Sequence, residues 1–349
     1  MLSSLSSNVI LAKARAMYGK RLKTKDYQAL LGCGTVGEVA AYLKQNTVYR
    51  DILTGVNEHN VHRGQLETLL RQKFFYDASS ICRYELSSGE HFAAYLIQSL
   101  EIEQIMHSLM LLSLGRPKDY LFAMPVFLEK HTQINLSALA DMRNFDDFLA
   151  AVAHSPYRKL LEPFRPHDGE PVNLTVLENA LYTYLYRNSF QIIEQHTKGR
   201  TKAEVREIFN DYLDLTNYSR IVRLKQYYHA EPDYIRSLLL PFGTFSQEQI
   251  NAMLAAPNVR QVNAVFRSLP LGKRIAQMEY NYADELPMRM LYKEGRHDIR
   301  FSVHPPVVML SYIFLNEIEQ HNITCVIEGI RYQVPEEETK KLLIYKAES

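Results

Sequence analysis

The sequence predicts an all-α protein built from three homologous helical repeat domains, and three observations predict it. A capped amphipathic helix recurs three times at domain-sized intervals. An acid and an amide three residues apart also recur three times, each within a long apolar-periodic stretch. Glycine and proline number 14 each among 349 residues, a little below their usual shares of about 7% and 5%, and strand-like alternation is hard to find.

The first capped helix contains Gly32-Cys-Gly-Thr-Val-Gly37, the letter pattern G-x-G-x-x-G that opens a dinucleotide site. The surroundings do not fit that use. Asp26-Tyr-Gln-Ala-Leu-Leu31 lacks β-branched residues and reads as a short helix with Gly32 as its stop, where a nucleotide site needs a strand. Thr35-Val-Gly-Glu38 fits a capping box opening a helix whose apolar positions Val36, Val39 and Leu43 make one stripe.

The same device returns without the glycines. Asn144 caps a segment with Phe145, Phe148 and Val152, and Asn258 caps one with Val259, Val262 and Phe266. Both copies keep the cap and all three apolar positions, at offsets of 109 and 223 residues (144 − 35 and 258 − 35). A phosphate loop that two of three copies lack is better explained as a helix-loop-helix. After each capped helix comes a matching turn, at Thr47–Leu53, Ser155–Leu161 and Leu269–Ile275, with proline in the last two where a helix begins.

The acid and amide pairs are Glu101 with Gln104, Asp214 with Asn217, and Glu317 with Gln320. Residues three apart share a helical face, so each pair can address one neighbouring helix, and repeat packing is the role expected of them. A catalytic carboxylate pair is the other reading, but the three acids belong to three different copies. The repeats divide the chain near 1–118, 119–243 and 244–349, with Gly115-Arg-Pro117 and Pro241-Phe-Gly243 as the crossings. No flexible linker separates them, so side-by-side packing is expected.

Composition excludes several function classes. Forty basic and 39 acidic residues leave a formal charge of +1, with no global pull toward nucleic acid or an anionic membrane. Two local clusters stand out: basic Lys13, Arg15, Lys20, Arg21, Lys23 and Lys25, and acidic Glu336-Glu-Glu338 after Pro335. Solvated faces and the helix dipole account for most of both. No stretch reaches the roughly 18–20 apolar residues of a membrane span, and the first residues do not read as a secretory signal. Cys33, Cys82 and Cys325 are odd in number and widely spaced, as in a reducing compartment, so a cytoplasmic location is expected. No catalytic motif, cofactor loop or metal set is found; His59 and His62 lack companion ligands and read as loop histidines. The 23 tyrosines, with no tryptophan, are spread at helical spacing and suit packing better than base stacking.

Several stretches carry a family resemblance. Asn8-Val-Ile-Leu-Ala-Lys-Ala-Arg-Ala-Met17 with Asp26-Tyr27 and Leu30-Leu31, Tyr42–Tyr49, Asp214–Lys225, and the ending Ile327–Tyr332 with Pro335–Ile344 together resemble the C subunit (d in eukaryotes) of V-type and archaeal A-type rotary ATPases. The likeness runs nearly end to end and is closer to the prokaryotic form.

The resemblance implies a funnel of three helical domains around a pseudo-threefold axis, a central-stalk part of the rotor. It would sit on the cytoplasmic face of the proteolipid c-ring, peripheral to the membrane and associated with it only through that ring. Its cavity would take the tip of the shaft made by the D and F subunits, and it would carry torque for proton or sodium transport while catalysing nothing itself. The expected shaft contacts are Arg220, Arg223, Lys225 and Arg331, unless these pair internally with Asp214, Glu317 or Glu328. Arg331 lies 14 residues after Glu317 and Arg223 nine after Asp214 (331 − 317 and 223 − 214), which departs from a strict threefold collar. An unrelated helical adaptor for soluble partners is the competing class, and an enzyme the third.

Overall fold

The computed structural model describes residues 2–167 and 170–345. All regular structure among them is helical, as composition and periodicity predict. Seven long helices form the frame: α1 (Leu2–Gly19), α2 (Arg63–Cys82), α3 (Gly89–Ser113), α4 (Leu174–His196), α5 (Gly199–Tyr227), α6 (Leu286–Phe301) and α7 (Pro305–Arg331). Three hairpins are evident, α2 with α3, α4 with α5, and α6 with α7, each closed by a short turn. Between them lie clusters of short helices, here termed heads, at residues 20–62, 114–173 and 228–285.

The second and third heads pack on the long helix of the preceding hairpin. The first head instead packs on the last hairpin: Leu30, Leu43 and Leu53 share a core with Ile323, Val326 and Ile327 of α7. The third head joins Val262 and Phe266 to Tyr218 and Ile221 of α5. The second is continuous with the largest core, where Phe148 and Leu161 meet residues of α3 and α4. Helix α1 lies against α7, so the first and last long helices meet.

The caps follow the repeat. Oγ1 of Thr35 accepts from the Glu38 amide at 3.1 Å, Oδ1 of Asn144 from Asp147 at 2.9 Å, and Oδ1 of Asn258 from Gln261 at 3.0 Å. The return bond is displaced by one residue: Glu38 accepts from the Gly34 amide and Asp147 from the Arg143 amide. The third copy has Pro257 at that place and no amide to give, and there the acid is replaced by Gln261.

The glycines of the dinucleotide-like pattern have their own reason. A Cβ on Gly37 would stand 2.2 Å from the Glu58 carbonyl oxygen, so glycine is required for the following loop to cross the helix. Gly34 has only a flexible Glu38 oxygen nearby, at 3.8 Å. Gly37→Ala is therefore expected to destabilise by about 1–3 kcal/mol, and Gly34→Ala to stay within about 0.5 kcal/mol of wild type, measured by urea unfolding. Equal effects would contradict this packing account.

The three hairpins end alike. Gly115, His229 and Gln333 all take positive φ (69°, 48° and 53°) just after α3, α5 and α7. Gly115 and Gln333 close Schellman-type ends, with Arg116 donating to the Leu111 carbonyl and Val334 to that of Gly329. The residue before each, Leu114, Tyr228 and Tyr332, is an exposed large side chain.

Candidate functional site: clasps and an inner wall

The acids and amides fasten each long helix to a head. Glu101 of α3 accepts from Thr132 Oγ1 and the Gln133 amide, both at 2.7 Å, and from the Tyr157 hydroxyl at 2.8 Å. Three residues on, Oε1 of Gln104 takes the Tyr120 hydroxyl at 3.0 Å. Asp214 of α5, fully buried, accepts from the Thr244 amide and hydroxyl and from the Phe245 amide. Asn217 exchanges two bonds with the Leu240 backbone, at 2.9 and 2.8 Å.

In the third long helix the clasp belongs to Glu319 and Asn322, and Glu317 and Gln320 lie elsewhere. Glu319 accepts from the Leu22 amide at 2.7 Å and the Tyr49 hydroxyl at 2.9 Å, while Asn322 exchanges bonds with the Ile344 backbone. Gln320 instead donates to the Leu70 carbonyl of α2 at 2.6 Å. The reason is helical phase: two residues are about 200° of rotation, so Glu317 points away from the head that Glu319 holds. The spacing of the amide donors Leu22, Gln133 and Thr244, equal along the chain, marks the true register.

The same phase relation builds a second surface. Glu103, two residues after Glu101, Tyr212, two before Asp214, and Glu317, two before Glu319, all leave the clasp face. Glu317 lies within electrostatic reach of Glu103 and of Tyr95, Tyr182 and Tyr212. Tyr182 in turn senses Glu103 and Glu178. Side chains of α3, α4, α5 and α7 thus come together on one shared surface, termed the inner wall. Glu317 is open to solvent, yet protein around it limits hydration and, with Glu103 nearby, pushes its carboxyl up to about 7.

Of the basic residues expected at a shaft contact, two bond within the fold and two are exposed. Arg220, half-buried, donates to Asn179 Oδ1 at 2.8 Å and the Leu238 carbonyl at 2.7 Å. Lys225 closes the helix Gln247–Ala255 by donating to the Leu254 and Ala256 carbonyls. These two have polar partners inside the fold, though not the acids named above as alternatives. Arg223 is exposed and 3.9 Å from Asp284; Arg331 is exposed beside the Tyr332 ring. Glu328 pairs with Arg63 at 2.7 Å.

Part of the N-terminal basic cluster is also structural. Lys13 donates to Ser80, and Arg15 to the Ile299 and Ser302 carbonyls. Lys20, Arg21 and Lys23 border a cavity of about 450 Å³ between the first head and α7. Among the described residues no group of three His, Cys, Asp or Glu is placed to hold a metal, and no helix is long and apolar enough to cross a membrane.

A further acidic group sits where α5 meets α6. Burial pushes Glu294 up to about 7; Arg274 opposes that rise, while Glu207 and Asp298 add to it. The folded chain therefore keeps a proton that the unfolded chain has released, so stability falls as pH rises from about 4.5 to 7. Between pH 5 and 8, Glu294→Gln is expected to remove on the order of 1–2 kcal/mol of that fall, after allowance for solvent screening. Unfolding midpoints with the same pH slope in variant and wild type would contradict it.

The likeness to known proteins extends over nearly all of this architecture. The family model described as ATP synthase (C/AC39) subunit matches residues 10–342. The C subunit of the A-type ATP synthase of Methanosarcina mazei is 24% identical over 284 residues, covering 75% of this chain and 71% of that protein. The protein of the same name from Pyrococcus abyssi is 28% identical over 143 residues, covering 41% of this chain and 36% of that protein.

Proposed function

This chain belongs to the ATP synthase (C/AC39) subunit family, and from that premise we propose that it is a non-catalytic central-stalk subunit of a V/A-type rotary ATPase. In this role it is a socket. Three units, near 1–118, 119–243 and 244–349, surround a central opening; the D and F subunits of the shaft enter it, and the proteolipid ring is bound by the same chain at the cytoplasmic face of the membrane. Torque then passes from shaft to ring through the socket wall.

The observation that supports this most is the third clasp. Glu319 ties the last long helix to the first head, by the kind of bond that joins Glu101 and Asp214 to the heads following them. Linking the last unit back to the first favours a closed arrangement, which resists distortion under load better than units strung on linkers. The side chains gathered on the inner wall are tyrosines and carboxylates suited to polar contact with another protein.

The test is bridging. Purified D–F shaft and detergent-solubilised proteolipid ring are mixed with and without the chain, and complexes are separated by size. A ternary complex that forms only with the chain is the expected result. A chain that binds neither partner would overturn the socket reading and favour the adaptor for soluble partners. ATP or NAD is expected to leave the melting temperature unchanged, since a nucleotide site would stabilise the fold by RT ln(1 + [L]/Kd) and so raise that temperature.

A further inference from the structure

We propose that the inner wall made by Glu103, Glu317 and Tyr95 receives a cationic side chain, a lysine or arginine, from the tip of the shaft. This rests on the socket reading and adds the chemistry of the contact, which differs from the basic shaft contacts expected from sequence.

Four observations carry it. Glu317 makes no hydrogen bond or ion pair among the described residues and is open to solvent, so both carboxylate oxygens are available to a group from another chain. Tyr95 is 9% exposed, and its hydroxyl likewise has no hydrogen-bond partner among the described residues while lying within reach of Glu317. A tyrosine that buried ordinarily satisfies its hydroxyl. The cations nearest the wall already have partners: Arg71 lies 3.1 Å from Glu103 at the rim, and Arg220 is held by Asn179 and Leu238. Finally, the wall draws on units one, two and three together, so a ligand there touches all of them at once.

The shape of the group follows from the acceptors it must satisfy. Glu317 offers two acceptor oxygens and the Tyr95 hydroxyl one more, with the Tyr182 and Tyr212 hydroxyls within electrostatic reach of Glu317. A guanidinium, planar and with five donors, can serve a carboxylate and a phenol together; an ammonium serves them less completely. A metal ion fits poorly, because no cluster of three ligating side chains is gathered among the described residues. The cation also removes the cost of holding Glu317 and Glu103 ionised side by side.

The experiment measures binding of the full chain to purified D–F shaft by titration calorimetry at two salt concentrations. The variants are Glu317→Gln, the double variant Glu103→Gln/Glu317→Gln, and Glu129→Gln as an exposed control. Thermal melts check that each is folded; Glu317→Gln loses no internal partner and is expected to melt no lower than wild type. Affinity should fall several-fold for Glu317→Gln and at least ten-fold for the double variant, with a shallower salt dependence, and should not change for Glu129→Gln. If the shaft binds wild type and the double variant equally, the wall is not the contact, and the assignment is overturned while the socket reading stands. If the shaft does not bind wild type at all, the socket reading fails and the assignment falls with it.

Discussion

Asp214→Ala is expected to lower the unfolding free energy by about 3–5 kcal/mol, the range for breaking a buried charged hydrogen-bonded group. The carboxylate is fully buried and is the acceptor for the Thr244 amide, the Thr244 hydroxyl at 2.6 Å and the Phe245 amide. Alanine leaves those three donors without a partner, and each orphaned donor costs about 1–3 kcal/mol. The chain cannot slide in to compensate. Gly243 approaches at φ +105°, so closely that a Cβ there would lie 2.1 Å from Asp214 Oδ1. Burial raises the carboxyl's pKa while the Thr244 and Phe245 bonds lower it, so ionisation depends on those donors. Asp214→Asn keeps one oxygen and is expected to lose less. Urea denaturation compares the three; a loss below about 1 kcal/mol for alanine, typical of a surface site, would mean that Asp214 does not hold the head.

The second large effect is expected at Glu319, and it is local as well as energetic. Glu319→Ala removes the acceptor of the Leu22 amide and the Tyr49 hydroxyl, at a cost of about 2–4 kcal/mol. Since those bonds join α7 to the first head, amide hydrogen exchange should accelerate through residues 20–62 while the heads at 114–173 and 228–285 keep wild-type protection. Exchange that rises evenly over all three heads would show that the first head does not depend on this clasp.

The fold was legible because its local chemistry repeats. Thr35, Asn144 and Asn258 are strong N-cap types set before apolar stripes of one pattern, and short-range capping needs nothing beyond the residues involved. The clasps were legible in kind but not in register. The string Glu-Ile-Glu-Gln occurs at 101–104 and again at 317–320, and identity of letters hides a rotation of about 200° between Glu317 and Glu319. A signal was present: Asn322 lies three residues after Glu319, as Asn217 lies three after Asp214. The tyrosine that serves the first and second heads, Tyr49 and Tyr157, is replaced by Leu271 in the third, and Thr244 supplies a hydroxyl there instead.

The bonding of the basic residues was less legible, for a physical reason. A basic side chain in sequence is only a charge; whether it meets a partner depends on which backbone carbonyls lie within its reach. Lys225 finds two at the end of a short helix, and Arg220 finds one together with an amide. The helix ends also escaped notice, because His229 and Gln333 adopt the left-handed conformation usually signalled by glycine, and of the three ends only Gly115 carries that signal.

The most direct test of the central claim is recovery of the chain's own complex. Tagged protein is purified from gently solubilised membranes of its host, and the co-purifying chains are identified and counted by mass spectrometry. Recovery of proteolipid, shaft and ATPase head subunits in fixed ratio is the predicted result. Recovery of soluble partners alone, with no proteolipid and no shaft, would contradict it.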